Sequence, residues 1–156
     1  MSADLSDLLT PELVLTGVVA ATPRALFALV ASVAAPLLGT EAKVLAEALA
    51  AREKLGSTGF GGGVAIPHAK VDGLPRIALA VARLVTPIEF RAVDDVPVDL
   101  AFVLFSPTGA GADHLKALAR VSRRLRDRAF VAKLRGAGSR DALWALLSAD
   151  EERNAA

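Results

Sequence analysis

The chain of 156 residues contains only two histidines, His68 and His114, and the first of them follows a glycine-rich segment. Residues 56–63 read Gly-Ser-Thr-Gly-Phe-Gly-Gly-Gly, which predicts a loop whose backbone turns sharply or approaches a ligand closely. Backbone N–H groups in such a loop are free to meet an anion. A mobile surface loop fits the same composition, so the glycines alone do not decide between the two interpretations.

Two familiar nucleotide-binding patterns do not fit this segment. A Walker loop is excluded because no Gly-Lys-Ser or Gly-Lys-Thr follows the glycines. The dinucleotide-binding pattern requires glycine three residues after its second glycine, but Val64 follows Gly61 at that spacing and Ile66 follows Gly63. A nucleotide site is therefore not expected here.

His68 stands in the run Ile66-Pro67-His68-Ala69. Proline fixes its own φ and restricts the residue before it, so the chain enters His68 in a narrow range of directions. Neutral imidazole is a good nucleophile near pH 7, and a phosphoryl group on its nitrogen stays reactive enough to be passed on. The residues thus suit a phosphoryl acceptor, although a surface histidine after a turn fits them too.

His114 is expected in the first turn of a helix, directly after an N-cap at Asp113. The positive end of a helix disfavours imidazolium and favours a nearby anion, but a plain surface histidine is also common there. A metal site that joins the histidines to carboxylates such as Asp72 is not expected. The chain has no His-x-x-x-His or Glu-x-x-His spacing.

Hydrophobic periodicity predicts the elements that must position these residues. Strands are expected over 13–19, 77–85 and 98–105, with an edge piece over 87–91. Helices are expected from Pro23, capped by Thr22, to Pro36 or at latest Gly39, and then over 40–55, 114–127, 129–135 and 139–147. The third helix should turn inward Leu115, Leu118, Val121 and Leu125. Buried strands between helices indicate a layered α/β domain.

Composition excludes several other classes of function. The net charge of +1 gives no sign of nucleic-acid binding, and the basic residues over 114–128 suit a solvated helix face or a dock for an acidic partner. No apolar run reaches the ~20 residues of a membrane span, and the acidic N-terminus has the wrong charge order for a secretory signal. With no cysteine, the chain is expected to be a soluble cytoplasmic protein.

One segment resembles a known family. It runs Arg52-Glu53-Lys54-Leu55-Gly56-Ser57-Thr58-Gly59 and continues at Val64-Ala65-Ile66-Pro67-His68-Ala69. It is similar to the IIA components of the bacterial phosphoenolpyruvate-dependent phosphotransferase system, above all the fructose/mannitol class and its nitrogen-regulatory branch. Pro97-Val98-Asp99-Leu100 and His114-Leu115 fit the same pattern. Two positions depart from many relatives, which have glycine at 69 and asparagine at 62, where this chain has Ala69 and Gly62.

The resemblance implies one three-layer domain over 1–156, with a core at about 8–148 and a mixed β-sheet flanked by helices on both faces. It implies that His68 is phosphorylated, that Arg52 supports the phosphoryl group and that His114 is a second active-site histidine. From the family and the loop composition, phosphate contacts are expected from Ser57, Thr58, Gly59, Gly61 and Gly62.

The same resemblance implies an HPr-like phosphocarrier as donor and neither a metal nor an organic cofactor. Two downstream roles are then open. The chain would either pass the group to a IIB domain for sugar uptake or act as a regulator whose target proteins respond to its phosphorylation. The regulator is favoured, and an anion-binding module without a covalent step is the alternative from another class.

Overall fold

A six-stranded mixed sheet lies at the centre of the computed structural model, which describes residues 5–149. The strands are β1 Leu9–Val18, β2 Gly59–Gly61, β3 Val64–Ala65, β4 His68–Val71, β5 Ala78–Ile88 and β6 Val98–Pro107. Their order is β1-β5-β6-β3-β2, and β4 pairs with β6 beyond the end of β3. β5 and β6 are antiparallel, whereas β1 is parallel to β5, and β3 and β4 are parallel to β6.

Five helices among residues 5–149 cover the two faces of the sheet. One core is shared by the sheet with α1 Pro23–Leu38 and α2 Ala42–Lys54. The other core is shared with α3 Ala112–Leu125, α4 Arg128–Gly136 and α5 Arg140–Ser148. The predicted three-layer α/β fold, with a mixed sheet and helices on both faces, is confirmed.

The central strand β6 explains why the fold needs helices on both sides. Its side chains alternate between the two cores, with Ala101, Val103 and Phe105 in the first and Leu100, Phe102 and Leu104 in the second. All six of these side chains are fully buried. A strand with apolar residues at every position is stable only when both of its faces are covered.

The first two helices begin and end close to the predicted points. Thr22 caps α1, because its hydroxyl accepts a hydrogen bond from the Ala25 N–H at 3.1 Å. Gly39 ends it in the left-handed conformation, with φ 65°. Pro36 neither ends the helix nor precludes its last turn, so the helix reaches Leu38. For α2 the predicted start at Thr40 was wrong by one residue, since Glu41 occupies the N-cap.

Two strands are longer than the hydrophobic pattern predicts. β1 begins at Leu9 because the backbone around Leu9 pairs with Leu79, although Pro11 follows at once. Pro11 is tolerated because β1 lies at the edge of the sheet. β5 runs on to Ile88, so the predicted separate edge piece at 87–91 is partly a continuation of this strand. The polar N-terminus also predicts a loosely ordered lead-in over residues 1–12, which was wrong for residues 9–12 because they belong to β1. The frayed tail predicted from Asp150 onward lies outside the described residues.

The glycine-rich segment 56–63 is not a loop throughout. Residues Gly59–Gly61 form β2 and pair with β3 in an antiparallel hairpin, so the prediction of a loop was wrong for these three residues. The hairpin turn is made by Gly62 and Gly63, with φ of 66° and 83°. Pairing with β3 supplies the hydrogen bonds that the weak strand propensity of glycine does not predict.

The predicted buried face of α3 differs from the observed one at a single position. His114 is 4% exposed, whereas Leu115 is 66% exposed, so the expectation that Leu115 points inward was wrong. Asp113 lies in the first turn and not at the N-cap, which is Gly111. Leu118, Val121 and Leu125 do pack against the core as predicted. His114 thus takes the inward position that the pattern had assigned to a leucine.

A guanidinium group clamps the tip of the β2–β3 hairpin. Arg135 on α4 donates from Nε to both carboxylate oxygens of Asp99 at 3.1 Å and from Nη2 to the Gly62 carbonyl at 2.7 Å. A Cβ built on Gly63 would lie 2.5 Å from the same Nη2. The clamp therefore joins α4, β6 and the hairpin, and it leaves no room for a side chain at Gly63.

Substitution of the two turn glycines should separate backbone strain from the clamp. In Gly62→Ala the new Cβ has free space around it. Only the strain of a left-handed backbone should then lower the free energy of unfolding, by about 1–2 kcal/mol. Gly63→Ala carries the same strain and must also displace Arg135, which should cost a further ~1 kcal/mol. Urea unfolding of both variants measures the difference. Equal losses would show that the clamp contributes nothing at this turn.

Candidate functional site

His68 is the first residue of β4 and directly follows a two-residue gap in strand pairing. β3 and β4 both pair with β6, but Ile66 and Pro67 interrupt the run between them. The Ile66 N–H donates to the Thr58 carbonyl at 2.9 Å, and the Pro67 carbonyl accepts from the Leu104 N–H at 2.9 Å. Hydrogen bonds thus hold the backbone on both sides of the proline, in addition to the restriction that proline itself imposes.

The ring of His68 has its two nitrogens in different environments. Nδ1 lies 2.9 Å from the carbonyl oxygen of Ile66. Because a carbonyl only accepts hydrogen bonds, the proton of the neutral ring is on Nδ1. Nε2 therefore carries the lone pair and is the nucleophilic nitrogen.

Arg52 reaches His68 from the last turn of α2. Its Nε donates to Nε2 of His68 at 3.2 Å, and its Nη1 donates to the Gly56 carbonyl at 2.9 Å. The first contact confirms that Nε2 is the acceptor nitrogen, and the second anchors the guanidinium at the helix C-terminus. The side chain thereby places a fixed positive charge next to the Nε2 lone pair of His68.

His114 reaches the same place from the opposite helical layer. The centres of the two imidazole rings are 5.7 Å apart, and the ring planes are inclined by 51°. Nδ1 of His114 lies 2.7 Å from the hydroxyl oxygen of Ser106, at the end of β6. The structure therefore brings together Arg52, His68 and His114, which the sequence separates by 16 and 46 positions.

Both histidines are held neutral near physiological pH. Burial is the largest cause that lowers the pKa of His68, and the Arg52 charge lowers it further, while the Ile66 carbonyl and Glu53 act against them. Burial also lowers the pKa of His114, with smaller effects in the same direction from His68 and Lys70. A neutral ring keeps the Nε2 lone pair of His68 available for attack.

The predicted phosphate loop divides into two parts. Thr58 is buried, and Glu53 accepts hydrogen bonds from its N–H at 2.9 Å and its hydroxyl at 2.6 Å. Through the Thr58 carbonyl this pair supports Ile66, two residues before His68. The Ser57 hydroxyl donates to the Phe90 carbonyl at 2.5 Å and accepts from the Gly59 N–H at 3.0 Å, so both groups are already occupied.

The other part of the loop lies at the hairpin tip. Gly61 pairs with Val64, and the Gly62 N–H donates to Asp94 at 2.8 Å. Val64 pairs with Leu100 of β6 and His68 pairs with Leu104, so the tip lies roughly four residues, or ~13 Å, along the strand from His68. The structure does not bring Gly61 and Gly62 to the histidines, and the Gly62 amide is already occupied.

Two residues of the site were missed by the sequence-based prediction. Glu53 belongs to the Arg-Glu pair, and its adjacency to Arg52 was a usable signal that it supports the same loop. Ser106 carried no signal, because nothing in a Ser-Pro loop start predicts contact with a histidine eight residues later. Within residues 5–149 no group of three histidine or carboxylate side chains could hold a metal ion.

The fold and site define a three-layer α/β protein with a neutral histidine, an arginine and a second histidine at one edge of the sheet. The chain matches over residues 7–150 the family described as the phosphoenolpyruvate-dependent sugar phosphotransferase system, EIIA 2. It belongs to this family, which confirms the resemblance drawn from its motifs, and it is in general terms a phosphotransferase component. No helix among the described residues has the length and apolar character to cross a bilayer.

Comparisons with individual proteins agree with this family. The chain is 44% identical over 144 residues to a nitrogen regulatory protein of Bradyrhizobium diazoefficiens, covering 92% of this chain and 94% of the relative. It is 43% identical over 79 residues to the fructose-specific EIIA component of Haloferax volcanii, covering 51% of each chain. The crystal structure of nitrogen regulatory protein IIA-Ntr from Neisseria meningitidis superposes with a TM-score of 0.86 at 29% identity, covering 92% of this chain and 98% of that one.

The lowered pKa values predict how the histidines titrate. Both should titrate in the folded protein below the ordinary histidine value of 6.5, and Arg52→Ala should raise the pKa of His68 only in part, because burial is the larger cause. The unfolded chain then binds more protons than the folded one, so stability should fall as the pH drops below about 6.5. NMR titration of the ring protons, with urea unfolding at several pH values, checks both statements. A midpoint at or above 6.5 for His68 would contradict the desolvation.

Proposed function

We propose that this protein is a phosphocarrier that accepts a phosphoryl group on Nε2 of His68 from a phosphohistidine of an HPr-like protein. The observation that carries the proposal is the pair of contacts around the ring, Nδ1–H to the Ile66 carbonyl and Arg52 to Nε2. Together they present a neutral imidazole with one defined nucleophilic nitrogen beside a cation. Family membership and the names of the relatives support the same role.

The transfer is an in-line displacement at phosphorus. The Nε2 lone pair of His68 forms the new N–P bond while the N–P bond to the donor imidazole breaks, and the bonding electrons leave with that imidazole. The proton on Nδ1 stays in place, and the Ile66 carbonyl stabilises the positive charge that the ring gains. No external proton is needed, because one imidazole replaces another.

Arg52 has two successive contacts in this step. Before transfer its Nε–H donates to the lone pair that must attack, so the contact has to break as the phosphorus approaches. The guanidinium then lies next to the incoming phosphoryl oxygens and offsets their charge. The Nη1 bond to Gly56 keeps the side chain at the site throughout.

Two exposed leucines lie close in the chain to site residues and suit the approach of a carrier protein. Leu55 follows α2 and is 85% exposed, and Leu115 follows His114 and is 66% exposed. Exposed apolar side chains beside a reactive group are expected where another protein must exclude water from the transfer. We assign this rim to the HPr-like donor and, in turn, to the downstream acceptor.

The downstream role that fits best is regulation, with target proteins that respond to the phosphorylation state. A relative matched over nearly its whole length is named a nitrogen regulatory protein, whereas the fructose-specific relative is matched over half of its chain. The alternative is transfer to a IIB domain, as in the complex of mannitol IIA with phosphorylated IIB, a likeness of fold at 18% identity. Rapid loss of phosphate to a IIB domain would mark the transport role. The absence of cysteine supports a cytoplasmic location.

Two histidine substitutions test the phosphorylated residue directly. His68→Ala should remain folded and gain no phosphoryl mass after incubation with phosphoenolpyruvate and the general phosphotransferase proteins, because it lacks the nucleophile. His114→Ala is the matched control and should still gain one phosphoryl group, though more slowly. Intact-mass spectra at neutral or alkaline pH measure both. A phosphorylated His68→Ala protein would exclude His68 as acceptor, and an unphosphorylated wild type would favour a non-covalent anion-binding module.

A graded loss is expected when Arg52 is removed. Arg52→Ala deletes a charge-assisted contact to the phosphoryl group but no covalent bond, so the transfer barrier should rise by about 1.5–3 kcal/mol, roughly 10- to 150-fold in rate. Arg52→Lys keeps the charge but lacks the planar guanidinium that also binds Gly56. Its transfer rate should therefore lie between the rates of the wild type and Arg52→Ala. Rapid-quench transfer kinetics at saturating donor give the rates. A wild-type transfer rate for Arg52→Ala would show that Arg52 does not stabilise the phosphoryl group.

A further inference from the structure

Ser106 is a fully buried residue whose hydroxyl contacts the second histidine of the site. It stands on β6 two residues after Leu104, the residue that pairs with His68. Residues two apart on a strand face the same side, so Ser106 and His68 both face the α3 layer. Its Oγ lies 2.7 Å from Nδ1 of His114, the shortest polar contact that the second histidine makes.

The hydroxyl can make this hydrogen bond in two ways, and burial favours one of them. Within residues 5–149, Nδ1 of His114 is the only partner of the Ser106 hydroxyl. If Nδ1 carried the proton, the hydroxyl would accept and its own hydrogen would be buried without a partner, which is costly. If the hydroxyl donates, both groups are satisfied. Nδ1 is then the acceptor, and the proton of the neutral ring is on Nε2.

Nε2 of His114 is the nitrogen left for a ligand. It has no hydrogen-bond partner among the described residues. It is also not one of their fully buried polar atoms that lack a partner. The centre of its ring is 5.7 Å from the centre of the His68 ring. An N–H group in this position suits a phosphoryl oxygen, which only accepts hydrogen bonds at neutral pH. The lowered pKa of His114 keeps the ring neutral, so its tautomer matters.

We propose that Ser106 is a positioning residue that holds neutral His114 in the tautomer with the proton on Nε2, so that this N–H donates to the phosphoryl group on His68. The second half rests on the proposed function, but the first half does not. The two histidines then have opposite tautomers. The Ile66 carbonyl accepts from Nδ1–H of His68, which fixes that proton on Nδ1, and the Ser106 hydroxyl donates to Nδ1 of His114, which leaves the proton of that ring on Nε2.

The tautomer is tested on the unphosphorylated protein. Long-range proton–nitrogen NMR of protein labelled in its histidine nitrogens, at pH 8, should show His114 unprotonated at Nδ1 and protonated at Nε2. His68, in the same spectrum, should show the reverse. Ser106→Ala, which removes only the hydroxyl, should shift the Nδ1 signal away from its hydrogen-bonded position. A protonated Nδ1 in wild-type His114, or a spectrum unchanged by Ser106→Ala, would overturn the assignment whether or not His68 is ever phosphorylated.

The functional half is tested by how long the phosphoryl group survives. Ser106→Ala should speed its loss from His68 about 3- to 10-fold, and His114→Ala should speed it at least as much. The double variant should match His114→Ala, because Ser106 acts only through that ring. Thr108→Ala is the control, because Thr108 lies two residues after Ser106 and its exposed hydroxyl donates to Asp72. This substitution should leave the rate of phosphoryl loss unchanged. Additive effects of the two substitutions would show that Ser106 does not act through His114.

Discussion

The hydrogen bond between Nδ1–H of His68 and the carbonyl of Ile66 is the contact on which the rest of the site depends. It decides which nitrogen of the ring carries the lone pair. The Ile66 carbonyl can accept it because Ile66 faces away from β6. Its N–H donates to the Thr58 carbonyl, whereas the next residue, Pro67, directs its carbonyl to the Leu104 N–H of β6.

The three-layer fold delivers one cooperating group to this ring from each side. α2 contributes Arg52 in its last turn, and α3 contributes His114 in its first turn. The start of β4 between them is shielded enough to keep the histidine neutral, yet His68 stays partly exposed to a partner. The hydrogen bonds between Glu53 and Thr58 join α2 to the segment that precedes His68. Arg52 and His68 are therefore held by one hydrogen-bond network.

Most of the secondary structure, and the three site residues Arg52, His68 and His114, could be predicted from the sequence because their signals are short-range. Caps at Thr22 and Ser139, the turn at Gly39 and the apolar runs of β5 and β6 are all short-range signals. β4 escaped prediction because His-Ala-Lys-Val is short and half polar, and its stability comes from β6. The burial of His114 in place of Leu115 could not be derived either, because both positions continue a helical spacing and only tertiary packing chooses between them.

The central claim is that the phosphoryl group resides on Nε2 of His68, and long-range proton–nitrogen NMR of the phosphorylated protein tests it most directly. With its histidine nitrogens labelled, the protein should show the phosphorus coupling on Nε2 of His68, a proton retained on Nδ1 of that ring, and no phosphorus coupling on His114. Phosphorus coupled to Nδ1 of His68, or to either nitrogen of His114, would contradict the account.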